Sequence, residues 1–235
     1  MKTQAGLERA LSFINCQLQP GGAGQTARET DAPRRAVTIS RQTGSGAHIV
    51  AQNLAAYLHA HEPKDACPWA VFDRNLVEKV LEDHNLPQRL ARFMPEDRAS
   101  EITDIMNELF DLHPPSWTLV HKTTDTILRL AELGNVILIG RGATVITAKL
   151  PYVFRVRIIG SLEKRIKHVQ ELDHFTRPVA RARILQEDRG RKRYLRKYFD
   201  ADPDDPLLYH LIINTDDVPY EEAARIIGEA VLRRR

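Results

Sequence analysis

The chain has 235 residues, 43% hydrophobic and 28% charged, and 34 basic against 31 acidic side chains leave a net charge of +3. That length suits one large α/β domain or two small ones, the apolar share excludes wholesale disorder, and no run approaches the roughly 18–20 apolar residues of a membrane-spanning helix. The charge balance makes no general case for nucleic acid, and Cys16 and Cys67, two isolated thiols without a CxxC pattern, argue against a disulfide scaffold or a zinc ribbon.

Leu7, Leu11, Ile14 and Leu18 form one stripe of a short helix, and residues 1–18 read as a helical arm. Met1–Ala10 is polar and lacks a signal-peptide core, so a soluble cytoplasmic chain is expected. Gln19–Arg35, with Pro20-Gly21-Gly22-Ala23-Gly24, reads as a linker, and the main domain begins at Ala36. Strand-like and helix-like segments then alternate. The strands are Ala36–Ser40, Trp69–Phe72, Asn135–Gly140, Tyr152–Ile159 and Tyr209–Asn214. The helices are Ala47–Ala60, Asn75–Asp83, Ser116–Leu133 (closed by Gly134), Leu162–Asp173 (capped by Ser161), Pro178–Tyr198 and Pro219–Leu232. Leu86–Pro115 is a polar, helical stretch punctuated by prolines. Apolar residues crowd the third and fifth strands, as in strands buried on both faces. The pattern implies a three-layer α/β/α fold with a five-stranded parallel sheet.

Ala36–Val50 reads as strand, Gly-containing turn and helix start, a context in which backbone N–H groups and a helix N-terminus can face a phosphate. Gly44 and Gly46 allow the backbone angles such a turn needs. The match to GxxxxGK[ST] is poor. Arg41 stands at the first glycine, Ala47 at the lysine and His48 at the Ser/Thr. An ordinary strand-to-helix turn fits the same residues.

Further segments change the weighting. Thr38-Ile39-Ser40-Arg41-x-x-Gly44-Ser45-Gly46, Phe72-Asp73, Ile139-Gly140-Arg141-Gly142, Leu162-Glu163-Lys164-Arg165-Ile166 and Ile212-Ile213-Asn214-Thr215, taken together, resemble the cytidylate-kinase-like family, a divergent branch of the P-loop nucleoside monophosphate kinases. The resemblance runs from Ala36 to the C-terminus. It implies a parallel five-stranded sheet, a segment that closes over an acceptor (residues 86–115) and a basic lid over donor phosphates (residues 176–200). The family's turn commonly lacks the P-loop lysine too. The resemblance also implies ATP as donor, Mg²⁺ as its companion, and a small nucleotide as acceptor.

Arg177–Lys197 carries nine basic side chains against Glu187 and Asp188 alone, and Asp200–Glu222 carries eight acids with no Lys or Arg. Such blocks are commonly solvated faces. Phosphoryl transfer, however, relies on positioning and charge stabilisation, for which the planar arginine fork is suited. Arg189 and Arg193 lie one helical turn apart, where the family's lid arginines belong. A basic helix with Tyr194 and Tyr198 would also suit RNA, but the acidic block beside it opposes that.

The other site candidates follow from their places on the strands. Arg141 lies between glycines at a strand's carboxyl end, where α/β ligands collect, and is the acceptor-binding candidate. True cytidylate kinases have Gly-Arg-Asp there; here Gly142 replaces the Asp. Asp73 ends the second strand and is a candidate for Mg²⁺ or for the acceptor's proton, or a cap for the following helix. Arg41 is placed to reach phosphate in the lysine's stead, or to pair with Asp73. Thr43, Gly44, Ser45, Gly46, Ala47 and His48 make the phosphate cradle. Imidazole is a poor Mg²⁺ ligand, so Thr43 or Ser45, or water and substrate phosphates, would have to hold the metal. Cys67 reads as a half-buried structural thiol. ATP-dependent phosphoryl transfer to a pyrimidine nucleoside monophosphate is the leading expectation. A nucleotide-binding module with little catalysis is the second, and RNA binding the third. The arm suits docking on the domain or on a second subunit, as in a homodimer.

Overall fold

β1 (Ala36–Arg41) runs down the middle of the sheet and pairs on both sides. The computed structural model describes residues 12, 13, 16, 35–63, 66–73, 96–110 and 118–234. In chain order the other elements are α1 (Ala47–Ala60), β2 (Ala70–Phe72), α2 (Glu96–Phe110), α3 (Thr118–Leu133), β3 (Val136–Ile139) and α4 (Ala143–Ile146). They continue with β4 (Val153–Ile159), α5 (Leu162–Asp173), α6 (Arg177–Phe199), a 3-10 turn (Pro206–Leu208), β5 (Leu211–Asn214) and α7 (Tyr220–Arg233). The strand order is β2-β3-β1-β4-β5, and every pairing is parallel. Ala36 stands opposite Val136 on one side and Val153 on the other, so the three central strands start level.

Alternation along these strands sends side chains to two cores. Ala36, Val136 and Leu138 join Ile127, Leu130 and Ile146 on the face covered by α3 and α4. Val37, Ile39, Ile137 and Ile139 join Val50, Leu54 and Ile227 on the face covered by α1 and α7. Gly228 lets α7 approach α1 closely, since a methyl there would overlap the Tyr57 ring. A third cluster, Ile166, Val169, Ala180 and Ile184, fastens α6 to α5. Ser161 caps α5, accepting from the Lys164 amide at 3.4 Å. Gly134, at φ +75°, ends α3 in the left-handed conformation expected of a C′ glycine.

Two expectations change, and one open alternative gains an observation. β5 is an edge strand with Ile212 and Asn214 exposed, so its apolar composition marks a short edge and not a strand covered on both faces. Cys67 is not a free thiol: it is disulfide-bonded to Cys16, with Cα atoms 5.9 Å apart. Spacing in sequence gives no hint, because the two cysteines stand 51 positions apart and meet only when the arm folds back. Phe13 is fully buried against Phe72, so at this residue the arm docks on its own domain. Leu7, Leu11, Ile14, Leu18, the linker up to residue 34, Asn75–Asp83 and much of 86–115 lie outside the described residues. Among the described residues no helix is long and apolar enough to cross a membrane.

Candidate functional site

The turn after β1 is built on two left-handed glycines, Gly44 at φ +82° and Gly46 at φ +76°. Gly46 opens α1, and a side chain on it would overlap the Tyr220 ring, so the position needs glycine for space as well as for conformation. The loop is clasped from below. Thr215 Oγ1 donates to the Ser45 carbonyl at 3.0 Å, and the Gly160 amide donates to Gln42 Oε1 at 3.1 Å. Ser45 Oγ donates to the Gln42 carbonyl at 2.8 Å and is 2% exposed, so its hydroxyl faces inward. Ala47 is buried in the first turn of α1. His48 follows it, with a pKa lowered by the protein around the ring and by Arg41, against the opposing pull of Asp73. Its imidazole is therefore neutral near pH 7.

Helix α6 lies against this loop. The Thr43 amide donates to Asp188 Oδ1 at 2.8 Å, and Thr43 Oγ1 donates to Glu187 Oε2 at 3.1 Å. Arg165 Nη1 donates to Asp188 Oδ2 at 2.6 Å and to the Thr43 carbonyl at 3.1 Å. Arg191 Nη2 donates to Asp188 Oδ1 at 2.5 Å and also contacts Thr43 Oγ1. Burial alone would raise the Asp188 pKa, but hydrogen bonds from the Thr43 amide, Arg191 and Arg165 outweigh it and hold the carboxyl below its usual range. Glu187 is held low in the same way by Arg183 and Thr43.

A cavity of about 220 Å³ opens beside the loop, at the carboxyl ends of β1 and β3 and under α6. Arg41, Arg141, Arg157, Arg189, Arg191 and Lys192 line it, with Tyr194, Leu195, Pro203 and Tyr209 as an apolar wall. Burial lowers the Arg41 pKa to about 10, with Arg191 adding to the fall and Asp73 opposing it; the guanidinium stays charged at neutral pH. It packs on Gly140, where a methyl would overlap it. Gly140, Arg141 and Gly142 all adopt positive φ, at +80°, +53° and +77°. A left-handed arginine is uncommon, and such local strain clusters at functional sites. A Cβ on Gly142 would lie 2.8 Å from Phe199 Cε2, so an Asp side chain at this position would require Phe199 to shift.

Of the residues picked out in sequence, Arg41, Arg141 and Arg189 meet at this cavity, and Thr43–His48 form the loop beside it. Arg189 is exposed, and its Nε donates to the Leu185 carbonyl at 3.1 Å. Arg193 is exposed and is not among the lining residues. At about 100° per residue it is turned roughly 140° from Asp188, whereas Arg191, Lys192 and Leu195 share the Asp188 face. Sequence reasoning missed Arg157, Arg165 and Arg191. Arg157, 6% exposed, donates to Ser40 Oγ at 3.0 Å, Tyr209 Oη at 3.3 Å and Asp204 Oδ1 at 2.7 Å. An arginine inside the apolar strand Val153–Ile159 was the available signal. For Arg191 it was the Asp188 three residues before it.

A second cavity, about 250 Å³, lies on the other side of the glycine turn and is lined by Gly44, Ser45, Gly160, Lys164, Thr215 and Asp216 among others. Among the described residues no group of three His, Cys, Asp or Glu side chains forms a metal cage. Mg²⁺ held in its usual way, by one or two carboxylates with substrate phosphates and water, would draw on Asp73, just past the end of β2; Asp188 and Asp204, which line the first cavity, are paired with arginines. The inward hydroxyl of Ser45 does not fit the ion.

Comparison with known proteins agrees with this architecture. A curated cytidylate kinase of Methanocaldococcus jannaschii is 21% identical over 158 residues, covering 66% of this chain and 89% of that one. The crystal structure of an uncharacterized protein from Eubacterium ventriosum superposes with a TM-score of 0.65 at 22% identity, over 86% of this chain and 99% of the other, and shares the fold. The family model described as cytidylate kinase-like matches residues 36–217, from the first strand to the loop after the fifth. With its parallel sheet and glycine turn, the chain belongs to the cytidylate kinase-like family.

Proposed function

We propose that the protein transfers the γ-phosphoryl group of ATP to a pyrimidine nucleoside monophosphate. One observation carries the reading: a glycine turn that opens a helix lies beside a cavity lined by arginines from β1, β4, α6 and the turn after β3, at the carboxyl edge of one parallel sheet. In this reading the Thr43–His48 backbone cradles the donor phosphates. The donor's nucleoside extends into the cavity bounded by Gly160, Thr215 and Asp216, the space on the far side of the turn from the acceptor. Arg141 and Arg41 orient the acceptor phosphate, and the Tyr194–Tyr209 wall takes its base. An acceptor phosphate oxygen attacks the γ-phosphorus, the bond to the β-phosphate oxygen breaks, and ADP leaves. Arg189 and Arg191 stabilise the charge on the transferring group, in place of the Arg189–Arg193 pair expected from spacing. Asp73 holds the acceptor's orientation or receives its proton. Mg²⁺, carried by the nucleotide near Asp73, supplies charge neutralisation when bound. The reading sets the chain where ATP is abundant, in the cytoplasm, where the Cys16–Cys67 bond faces reducing thiols.

A second reading has its own observation. Ala47 is buried where a P-loop lysine would reach out, and the Thr43 and Ser45 hydroxyls are both engaged with the protein. These features favour a nucleotide-binding module with weak catalysis. RNA binding by α6 is disfavoured, because Arg177, Arg183, Arg191 and Lys192 are ion-paired with Glu163, Asp173, Asp188 and Asp202.

Purified protein, Mg·ATP and each nucleoside monophosphate in turn, with ADP followed by a coupled assay, decides between them. The kinase reading expects faster ADP release with a pyrimidine monophosphate. No acceleration by any acceptor, with ATP binding retained in calorimetry, removes the kinase and leaves the binding module.

A further inference from the structure

The Thr43 amide is the loop's entry to a phosphate cradle, yet it is already spent on a carboxylate. Around Asp188 the structure assembles one backbone N–H and two guanidinium groups, those of Arg165 and Arg191. That is the donor set a phosphate oxygen would draw. An ordinary surface ion pair joins two side chains and leaves the backbone alone. Here the carboxylate reaches across 145 positions to a loop amide, and Arg165, 7% exposed, is held beneath it. Glu187 takes the Thr43 hydroxyl at the same time. These are the only two acids between Arg177 and Lys197, and both point at the loop.

We propose that Asp188, assisted by Glu187, is an internal anion that shuts the phosphate loop of the nucleotide-free protein, and that an incoming polyphosphate displaces it and takes over Arg165 and Arg191. The lid is then closed in two chemically alike ways, once on its own carboxylate and once on ligand. Helix α6 stays fastened to α5 through Ala180 and Ile184, so the exchange needs only the turn of helix around Asp188 to shift. Phosphate affinity is set by competition and not by the loop alone. The proposal rests on the loop binding phosphate and is independent of the acceptor and of any transfer.

Inorganic pyrophosphate is the probe, titrated by calorimetry into the wild-type chain and into Asp188→Asn. The variant keeps the shape and removes the charge. It is expected to bind pyrophosphate about tenfold tighter, the scale of one lost charge-assisted hydrogen bond. Trypsin should cut ligand-free Asp188→Asn at Arg189 or Arg191 faster than wild type, and pyrophosphate should restore protection. Glu187→Gln should move both readouts the same way by less, and it decides the matter if Asp188→Asn does not fold. Equal or weaker pyrophosphate binding by a folded variant, with unchanged cleavage, overturns the proposal. Tighter binding in a protein that transfers no phosphate to any acceptor leaves the latch standing while the kinase reading falls.

Discussion

Phe13 meets Phe72 edge to face, with ring centroids 6.0 Å apart and planes at 71°. One ring comes from the N-terminal arm and the other from β2, and both are fully buried. The arm therefore contributes to the domain's core instead of only preceding it. Phe13→Ala is expected to cost about 3–5 kcal/mol, the usual range for a buried phenylalanine, read as a shifted urea midpoint. A change near zero would mean that the core closes without the arm.

The Cys16–Cys67 bond holds that arm in place. Closing so long a loop stabilises by about 4 kcal/mol in the chain-entropy account. Dithiothreitol should lower the melting temperature of the wild-type chain and leave a Cys16→Ser, Cys67→Ser double variant unmoved. Two free thiols in the untreated, unfolded protein by Ellman titration would contradict the bond.

Gly142 tests how far this chain stands from true cytidylate kinases. Gly142→Asp puts a side chain at φ +77° and against Phe199. Left-handed strain and overpacking together should destabilise by about 2–4 kcal/mol. A fully stable variant with improved use of cytidylate would instead show that Phe199 yields to an acidic group.

Arg141 and Arg193 separate the cavity from the exposed face of α6. If the kinase reading holds, Arg141→Ala should raise the acceptor KM by about 10- to 100-fold, the worth of a charge-assisted hydrogen bond to phosphate. Arg193→Ala should change neither KM nor kcat beyond about twofold, as fits an exposed side chain outside the cavity. Equal losses from both would return Arg193 to the site.

His210 makes stability sensitive to acid. Burial, Arg155 and Arg234 lower its pKa from 6.5 to about 4, and its Nδ1 accepts the Arg155 amide at 3.0 Å. The unfolded chain therefore binds a proton that the folded chain refuses, and stability falls as pH drops from 6.5 to about 4. Asp188 and Glu187, held low when folded, add to the loss at the acid end. Urea midpoints at pH 7 and pH 4.5 should converge in His210→Gln relative to wild type. An unchanged pH slope would place the sensitivity elsewhere.

Much of the sheet was legible because its signals are local. β-branched runs mark β1, β3 and β4, Ser161 and Gly134 punctuate helices, and the glycine turn announces itself. β5 misled because apolar composition does not say which strand ends up at an edge. Arg41 and Arg141 stand out by their places at strand ends and Arg189 by helical spacing and the resemblance, and the fold brings all three to one cavity. The disulfide, and the grip of Asp188 on Thr43, join distant segments and have no local signature. Helical phase also decides what spacing cannot: Arg189 and Arg193 are a turn apart, yet the loop-facing stripe is Asp188, Arg191 and Leu195.

Parallel pairing throughout has a consequence for how this protein tolerates change. All five strands point one way, so the molecule has two unlike ends. One end holds the turn at Gly44–Gly46, the left-handed Gly140–Arg141–Gly142 and the arginines. The other holds Cys67, the Asn135 side chain donating to its carbonyl, and His210 against Arg155. The glycines of the first end are fixed by conformation and space, so substitutions there disturb folding, whereas the arginine side chains that line its cavity are where a change can alter the cavity and leave the backbone alone.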